Sequence, residues 1–346
     1  MPFRRPFLVA AGAVTERSSW IVRLRDLDGR TGVGEVALDP GASVAEEGRV
    51  AAALREMIDL AAAGKAPDWA APGAAEWRAV RAGWDGAMED LAATSEPSPP
   101  PAAVSVAVNA TLEISSPRVA TQAAVWAVAA GFDCLKLKTG REESGYLLER
   151  VRAVRAAVGP AVRLRLDANG SWEYASASAL LADLAAFDIE YVEQPLPRDD
   201  LDGHARLRRQ TAVPIALDEA IDSESAARAA IAARAADVLV LKPARVGGPA
   251  VVRSIAAMAA AAGMPVVLST FFETGVGTAA AIRAAATLPS VGRERAHGLA
   301  TAGLLEHDLL AEPCTVAGGR IALPAIVALD EDALRRYTVE TIGPAA

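Results

Sequence analysis

Between residues 104 and 300 short apolar runs alternate with alanine-rich amphipathic segments, and this beat leaves few folds open. VSVAVNATL, CLKLKTG, VRLRLDANG, IEYVEQP, PIALDEAI, DVLVLKPARVGG, PVVLSTFFETG and HGLAT read as strands, and the stretches between them carry helical periodicity. Eight strands in one βα series predict a parallel (β/α) barrel. An open doubly wound sheet accommodates the same count, although no glycine-rich nucleotide turn follows the first strand.

Upstream the pattern differs. MPFRRPFLVAAGAV reads as a first strand, too short to span a membrane and poor as a signal. WIVRLRDLDGRTGVGEVAL predicts a hairpin turning at Asp28-Gly29. Two helices follow, one capped by Ser43 with Glu46 three residues on and ending near Gly64, the other from about Pro72 to Leu91. TSEPSPPPAA, residues 94–103, reads as a stiff connector and a domain boundary. The tail AGGRIALPAIVALDEDALRRYTVETIG is expected to return to the N-terminal unit. The division is therefore 1–102 with 312–346 against a barrel of 103–311.

The 346 residues are 52% hydrophobic and 23% charged, an ordinary globular balance. A net charge of −8 gives no footprint for nucleic acid, and no membrane partner is expected. Cys134 and Cys314 have no paired spacing, so the expectation is a reducing, cytoplasmic setting without a disulfide framework. Assembly into a homo-oligomer stays open.

Five successive runs end in an ionisable residue: Lys138, Asp167, Glu193, Asp218 and Lys242, spaced 24 to 29 residues apart. In a barrel the C-terminal strand ends share one mouth. Three carboxylates meeting there would repel one another unless a cation lies among them, and hard oxygen donors favour Mg²⁺ or Mn²⁺. Asp167, Glu193 and Asp218 are thus the candidate metal ligands. Asn169 reads equally as an amide supporting Asp167 or as an Asn-Gly turn, and Glu219 as a partner for a lysine or a loop ion pair.

Lys136 and Lys138 lie two apart in a buried strand and project from the face that Leu135 and Leu137 leave. A lysine serves as a base near neutral pH only if its charge is disfavoured by about 4 to 5 kcal/mol, and Lys136 is expected to supply part of that push on Lys138. Lys138 and Lys242 would flank a bound carboxylate substrate. The arrangement suits proton removal from carbon beside a carboxylate.

With KLK at 136–138, DAN at 167–169, EQP at 193–195, DE at 218–219 and KP at 242–243, the chain resembles the enolase superfamily, muconate-lactonizing subgroup. The resemblance implies a (β/α)7β TIM-like barrel under an α+β capping domain, with a loop near 12–19 closing over the substrate. Within it, LSTFFETGVGTAA and HGLATAGLLEHDL are most similar to the o-succinylbenzoate synthase family of menaquinone biosynthesis. That likeness implies a lyase that dehydrates 2-succinyl-6-hydroxy-2,4-cyclohexadiene-1-carboxylate. Lys138 would be the base and proton donor, Lys136 its neighbour and Lys242 the opposing amine, with Ser269, Thr270 and Glu273 near substrate. Phe271 and Phe272 read equally as core. His297 is expected to be structural, and His204 and His307 receive no role. A racemase or epimerase of the same subgroup, N-succinylamino acid racemase among them, shares every site residue, and muconate cycloisomerase is a third option. A dipeptide specificity is disfavoured because ATAGLLEHDLL lacks an Asp-x-Asp.

Overall fold

The chain opens with two antiparallel hairpins. β1 (Pro2–Val9) pairs with β2 (Gly12–Glu16), and β3 (Ser19–Arg25) with β4 (Thr31–Ala37). The computed structural model describes residues 1–9, 12–65, 67, 69, 75–93, 104–292 and 294–343, so the connector read at 94–103 lies outside the described residues. The segment expected as a loop over 12–19 is strand as far as Glu16 and strand again from Ser19. The apolar run read as one strand is therefore a hairpin. The β3–β4 turn forms where Asp26 accepts the amides of Asp28 and Arg30 at 3.0 and 2.9 Å and Gly29 takes φ +84°.

Two helices complete this unit. α1 (Val44–Ala62) starts in a capping box between Ser43 and Glu46, and Val50, Leu54 and Met57 face Val36 and α2 (Ala75–Ala93). β4 lies flush on α2 because neither surface carries a side chain at the crossing. A Cβ on Gly34 would come within 2.0 Å of the Gly83 carbonyl, and one on Gly83 within 2.4 Å of Val36.

The barrel follows, strands alternating with helices from Ala110 onward except where two helices come in succession after Leu241. Its elements are β5 (Ser105–Ala107), β6 (Ala110–Leu112), α3 (Pro117–Ala129), β7 (Cys134–Lys138), α4 (Ser144–Val158), β8 (Arg163–Asp167), α5 (Tyr174–Leu184), β9 (Ile189–Glu193) and α6 (Leu201–Gln210). Then come β10 (Ile215–Leu217), α7 (Glu224–Ala232), β11 (Val238–Leu241), α8 (Pro243–Val246), α9 (Pro249–Ala261), β12 (Val266–Leu268) and α10 (Gly275–Ala286). β6 to β12 form one parallel sheet in sequence order. The eighth stave is reduced to single bridges, Ser269 to Gly298 and Val108 to His297, and these two contacts join β12 back to the first stave.

Residues alternate along each stave. Leu135, Leu137, Leu164, Leu166 and Val192 pack outward among the helices, while Tyr191, Ala216, Val238, Val240 and Val267 fill the barrel interior. The tail splits between the two units. β13 (Thr315–Ala317) pairs with β14 (Arg320–Ala322), which pairs with β5, and α11 (Glu331–Tyr337) docks on the hairpin unit through Leu334 against Val33's cluster and Glu331 against Arg23 at 2.6 Å.

Carboxylates join cap and barrel. Glu35 of β4 accepts from Thr274 N, Thr274 Oγ1 and Gly277 N at 3.0, 2.7 and 3.0 Å, so it sits on the N-terminus of α10 where the dipole favours negative charge. Asp90 of α2 takes the Val33 amide at 2.9 Å and Arg283 of α10 at 2.7 Å. The flush crossing makes a prediction. Gly34→Ala is expected to cost about 1–3 kcal/mol by overpacking. Gly48→Ala, on an exposed helical turn with nothing within 4 Å, is expected to add about 0.5–1 kcal/mol. Urea unfolding followed by circular dichroism measures both, and equal stabilities would contradict the tight crossing.

Candidate active site

Strand register sets Lys138, Asp167 and Glu193 side by side at the ends of β7, β8 and β9. Asp218 follows β10 and Lys242 follows β11, so all five strand-end charges meet at one mouth. The three carboxylates are each 1% exposed. Lys136 Nζ lies 3.0 Å from both Asp167 and Glu193, and Lys138 Nζ lies 2.8 Å from Asp167. Lys242 and Arg245 each bind one oxygen of Asp218.

These contacts set the protonation. Burial pushes the Asp167 carboxyl up, but Lys136 and Lys138 overcome it and hold the group well below the ordinary range. Burial, reinforced by Asp167, raises Glu193 to about 8 despite Lys136. Burial also acts against the charge on Lys136, yet Asp167 and Glu193 outweigh it and hold the ammonium well above its usual value. The Lys136 charge is thus paired with Asp167 and Glu193, and of these two carboxylates it shares only Asp167 with Lys138. Among the described residues no group of three or more His, Cys, Asp or Glu side chains is arranged to hold a metal ion, since each carboxylate here is turned to a lysine.

Other groups orient this set. Asn169 bridges, its Oδ1 accepting from Lys138 at 2.9 Å and its Nδ2 donating to Glu219 at 2.9 Å, and Lys242 is among the charged neighbours of Glu219. Burial, then Asp218, raises the Glu219 carboxyl. Sequence reasoning passed over three residues. The buried Gln194 Oε1 accepts from the amides of Asp218 and Ala220 at 3.0 and 3.1 Å, tying the end of β9 to the end of β10. Arg150 of α4, wholly buried, donates twice to the Lys138 carbonyl at 3.0 Å. Arg245 shares Asp218 with Lys242. The usable signal for Gln194 was its place in EQP; Arg150 and Arg245 had none beyond helix position. Asn169 and Gln194 both take positive φ, 45° and 40°, just beyond their strands, the backbone strain that gathers at functional sites.

After β12, Thr270 Oγ1 meets Thr301 Oγ1 at 2.6 Å, and Ser269 packs under Gly298. Glu273 is turned to the capping unit, where Glu35 and Arg17 are its charged neighbours and the Phe271 amide its donor. Burial, then Glu35, raises it to about 7. His297 is structural: its Nδ1 faces the Leu268 amide at 3.0 Å, and burial next to Arg165 lowers it to about 4. His204 faces the Leu196 amide and the Gln194 side chain, propping the loop after Glu193.

Residues 118–329 match the model of the enolase C-terminal domain-like family. The chain belongs to that family. An o-succinylbenzoate synthase from Thermobifida fusca is 37% identical over 252 residues, 72% of this chain and 74% of the relative. One from Mycobacterium tuberculosis is 44% identical over 177 residues, 51% of each, so the chain spans about half the length of that relative. The crystal structure of a dipeptide epimerase from Enterococcus faecalis, complexed with Mg and the dipeptide L-Leu-L-Tyr, superposes with a TM-score of 0.82 at 27% identity, covering 94% of this chain and 95% of that one. The barrel and cap of this enolase-family enzyme are those of its structural neighbours in the muconate-lactonizing and mandelate racemase subgroups.

The family mouth yields two stability tests. Gln194→Leu leaves the buried Asp218 amide and the part-buried Ala220 amide unpaired and is expected to cost about 1–3 kcal/mol for the buried one, whereas Gln194→Glu keeps the acceptor; urea unfolding of both variants checks this. Glu273 keeps its proton in the fold to about pH 7, while its ordinary value is 4.5. The folded state therefore binds more protons between those values, and stability falls as pH rises through that window. Glu273→Gln is expected to remove the slope and to gain on the order of 3 kcal/mol above pH 7. An unchanged slope in the variant would assign the titration to another group.

Proposed function

We propose that the chain is an o-succinylbenzoate synthase, catalysing the syn dehydration of 2-succinyl-6-hydroxy-2,4-cyclohexadiene-1-carboxylate on the route to menaquinone. The observation that carries this reading is the pair of amines, Lys138 and Lys242, set on either side of three buried carboxylates in an enolase-family barrel. The 37% identity to the Thermobifida fusca synthase supports the choice of substrate. In this reading residues 1–102, completed from 312–346 by the part that carries α11, cap a catalytic barrel of 103–311 whose first strand also takes the β13–β14 hairpin.

Asp167, Glu193 and Asp218 would hold a divalent cation, Mg²⁺ or Mn²⁺, with their oxygens turned from the lysines they face. They are hard oxygen donors on successive strands, and a Glu193 carboxyl raised to about 8 is one whose charge its present neighbours do not balance. Such an ion, when bound, lowers the cost of a second negative charge developing on a substrate carboxylate.

The chain's own groups supply the proton chemistry. Lys138, its side chain 24% exposed and the most open of the three amines, removes the proton from carbon next to the carboxylate in its neutral form. The resulting ammonium returns that proton to the departing hydroxyl on the same face, which releases water and restores the neutral amine. Asn169 and Asp167 aim Lys138, and Arg150 fixes the backbone that carries it. Lys242 faces the enediolate charge from the opposite side, and Lys136 remains protonated as a counter-charge to Asp167 and Glu193.

The same opposed amines would also serve inversion at an α-carbon, which keeps N-succinylamino acid racemase as the second reading. Assays of the purified chain with the cyclohexadiene carboxylate and with an N-succinylamino acid, each with and without Mg²⁺, separate the two; turnover of the second substrate alone would overturn the synthase. Lys138→Ala is expected to lose at least about 10³-fold in kcat while calorimetric Mg²⁺ affinity is largely kept. Retained turnover would remove Lys138 as the base.

A further inference from the structure

The segment after β12 presents two consecutive phenylalanines to different partners. Phe271 is buried against Ala37 of the cap and Ala244 beyond β11. Its ring centroid lies 5.4 Å from Lys242 Nζ and 4.8 Å from the Arg245 guanidinium carbon. Phe272 takes φ +62°, a costly conformation for a bulky residue, and its ring meets Phe3 of β1 edge-on at 5.8 Å with an interplanar angle of 83°. The turn at Phe272 lets one ring anchor the loop to the cap while its neighbour faces the cations.

Lys242 is bonded to the Asp218 carboxylate and faces the Phe271 ring, with Glu193 and Glu219 as further charged neighbours. Arg245 competes for Asp218. If Asp218 is a metal ligand, as the proposed function has it, its oxygens are no longer free to fix both side chains. The π face is a partner in direct contact for which no metal competes, since a ring offers no ligand atom.

We infer that Phe271 is a positioning residue for Lys242: its π face keeps the ammonium aimed across the mouth towards Lys138. This rests on the reading of Lys242 as the opposing amine. A cation–π contact at a desolvated site is attractive enough to matter in rate, on the order of 2- to 30-fold.

The test separates the contact from the activity. The sequence has only four lysines, Lys65, Lys136, Lys138 and Lys242, so lysine labelled at the ε carbon gives four assignable methylene signals in the metal-free protein. The Lys242 signal is expected to be shifted upfield by the ring and to lose that shift in Phe271→Leu, with Lys65 unmoved. In turnover, Phe271→Leu is expected to lower kcat about 2- to 30-fold with KM within about twofold. Trifluorophenylalanine placed at position 271 keeps the ring's shape but cancels much of its face potential, and is expected to reproduce the loss in kcat with an unchanged melting temperature. A fluorinated variant with wild-type kcat, or a Lys242 signal that Phe271→Leu does not move, would overturn the inference. Wild-type protein inactive on both substrates would instead sink the proposed function, and the methylene shift would still decide the contact.

Discussion

Three carboxylates sharing one buried mouth is the constraint on which the rest of the structure depends. At an effective dielectric of about 20, unit charges about 4 Å apart interact by roughly 4 kcal/mol, more than most single contacts contribute to a fold. Beneath them lies an apolar layer of Tyr191, Ala216, Val238, Val240 and Val267, which screens nothing. Cations must therefore be built in. Lys136, Lys138, Lys242 and Arg245 are those cations, and their uneven distribution leaves Asp167 firmly ionised and Glu193 in need of more positive charge.

The cap belongs to the same electrostatic design. Glu35 crosses from β4 to the start of α10, and Asp90 holds Arg283 near that helix's end. The loop between β12 and α10 is thereby fixed at one end by a capping-unit carboxylate and at Phe272 by a capping-unit ring. Phe271 immediately precedes the Phe272 anchor, so the position of a ring facing Lys242 depends on residues more than 200 positions away in sequence. Placement of the cap and shape of the mouth are one problem.

Much of this was legible because it is periodic. The βα beat and the one charge per strand end follow from local patterning, and both were readable at Lys138, Asp167, Glu193, Asp218 and Lys242 without any partner in view. Ser43 with Glu46 and the Asp28-Gly29 turn were readable for the same reason, since their hydrogen bonds close within a few residues. Glu35, Arg150 and Gln194 were not, because their polar groups are satisfied by backbone brought from other strands and helices. The eighth stave was overread as a strand: HGLAT has the composition, but only two bridges form. The β1–β2 hairpin was underread, its apolar residues running on without a polar turn. Glu273 sat at the right strand end, yet the turn at Phe272 directs it to the cap, and nothing in TFFE announces a positive φ.

The division of labour between the two cations carries the argument furthest. The chain has 31 arginines and four lysines, and three of those lysines stand at the mouth. Arg165 shows what the alternative does. It lies two residues before Asp167 on the same face of β8, fully buried, bonded to Glu190 at 2.6 Å and stacked 4.6 Å from the centre of Tyr191. Burial works against its charge, but neighbours including Tyr191 and Glu190 raise its pKa further, so it is a permanent cation that closes the lower barrel. A guanidinium there loses nothing, because no proton has to move. At the mouth the same choice would balance the carboxylates equally well and end the proton transfer proposed for Lys138, since arginine does not give up its proton in a protein. Lys136 marks the boundary between the two uses: pinned between Asp167 and Glu193 it does an arginine's work, while Lys138, one pleat nearer the opening and sharing only Asp167 with it, has the exposure a proton-transferring amine requires.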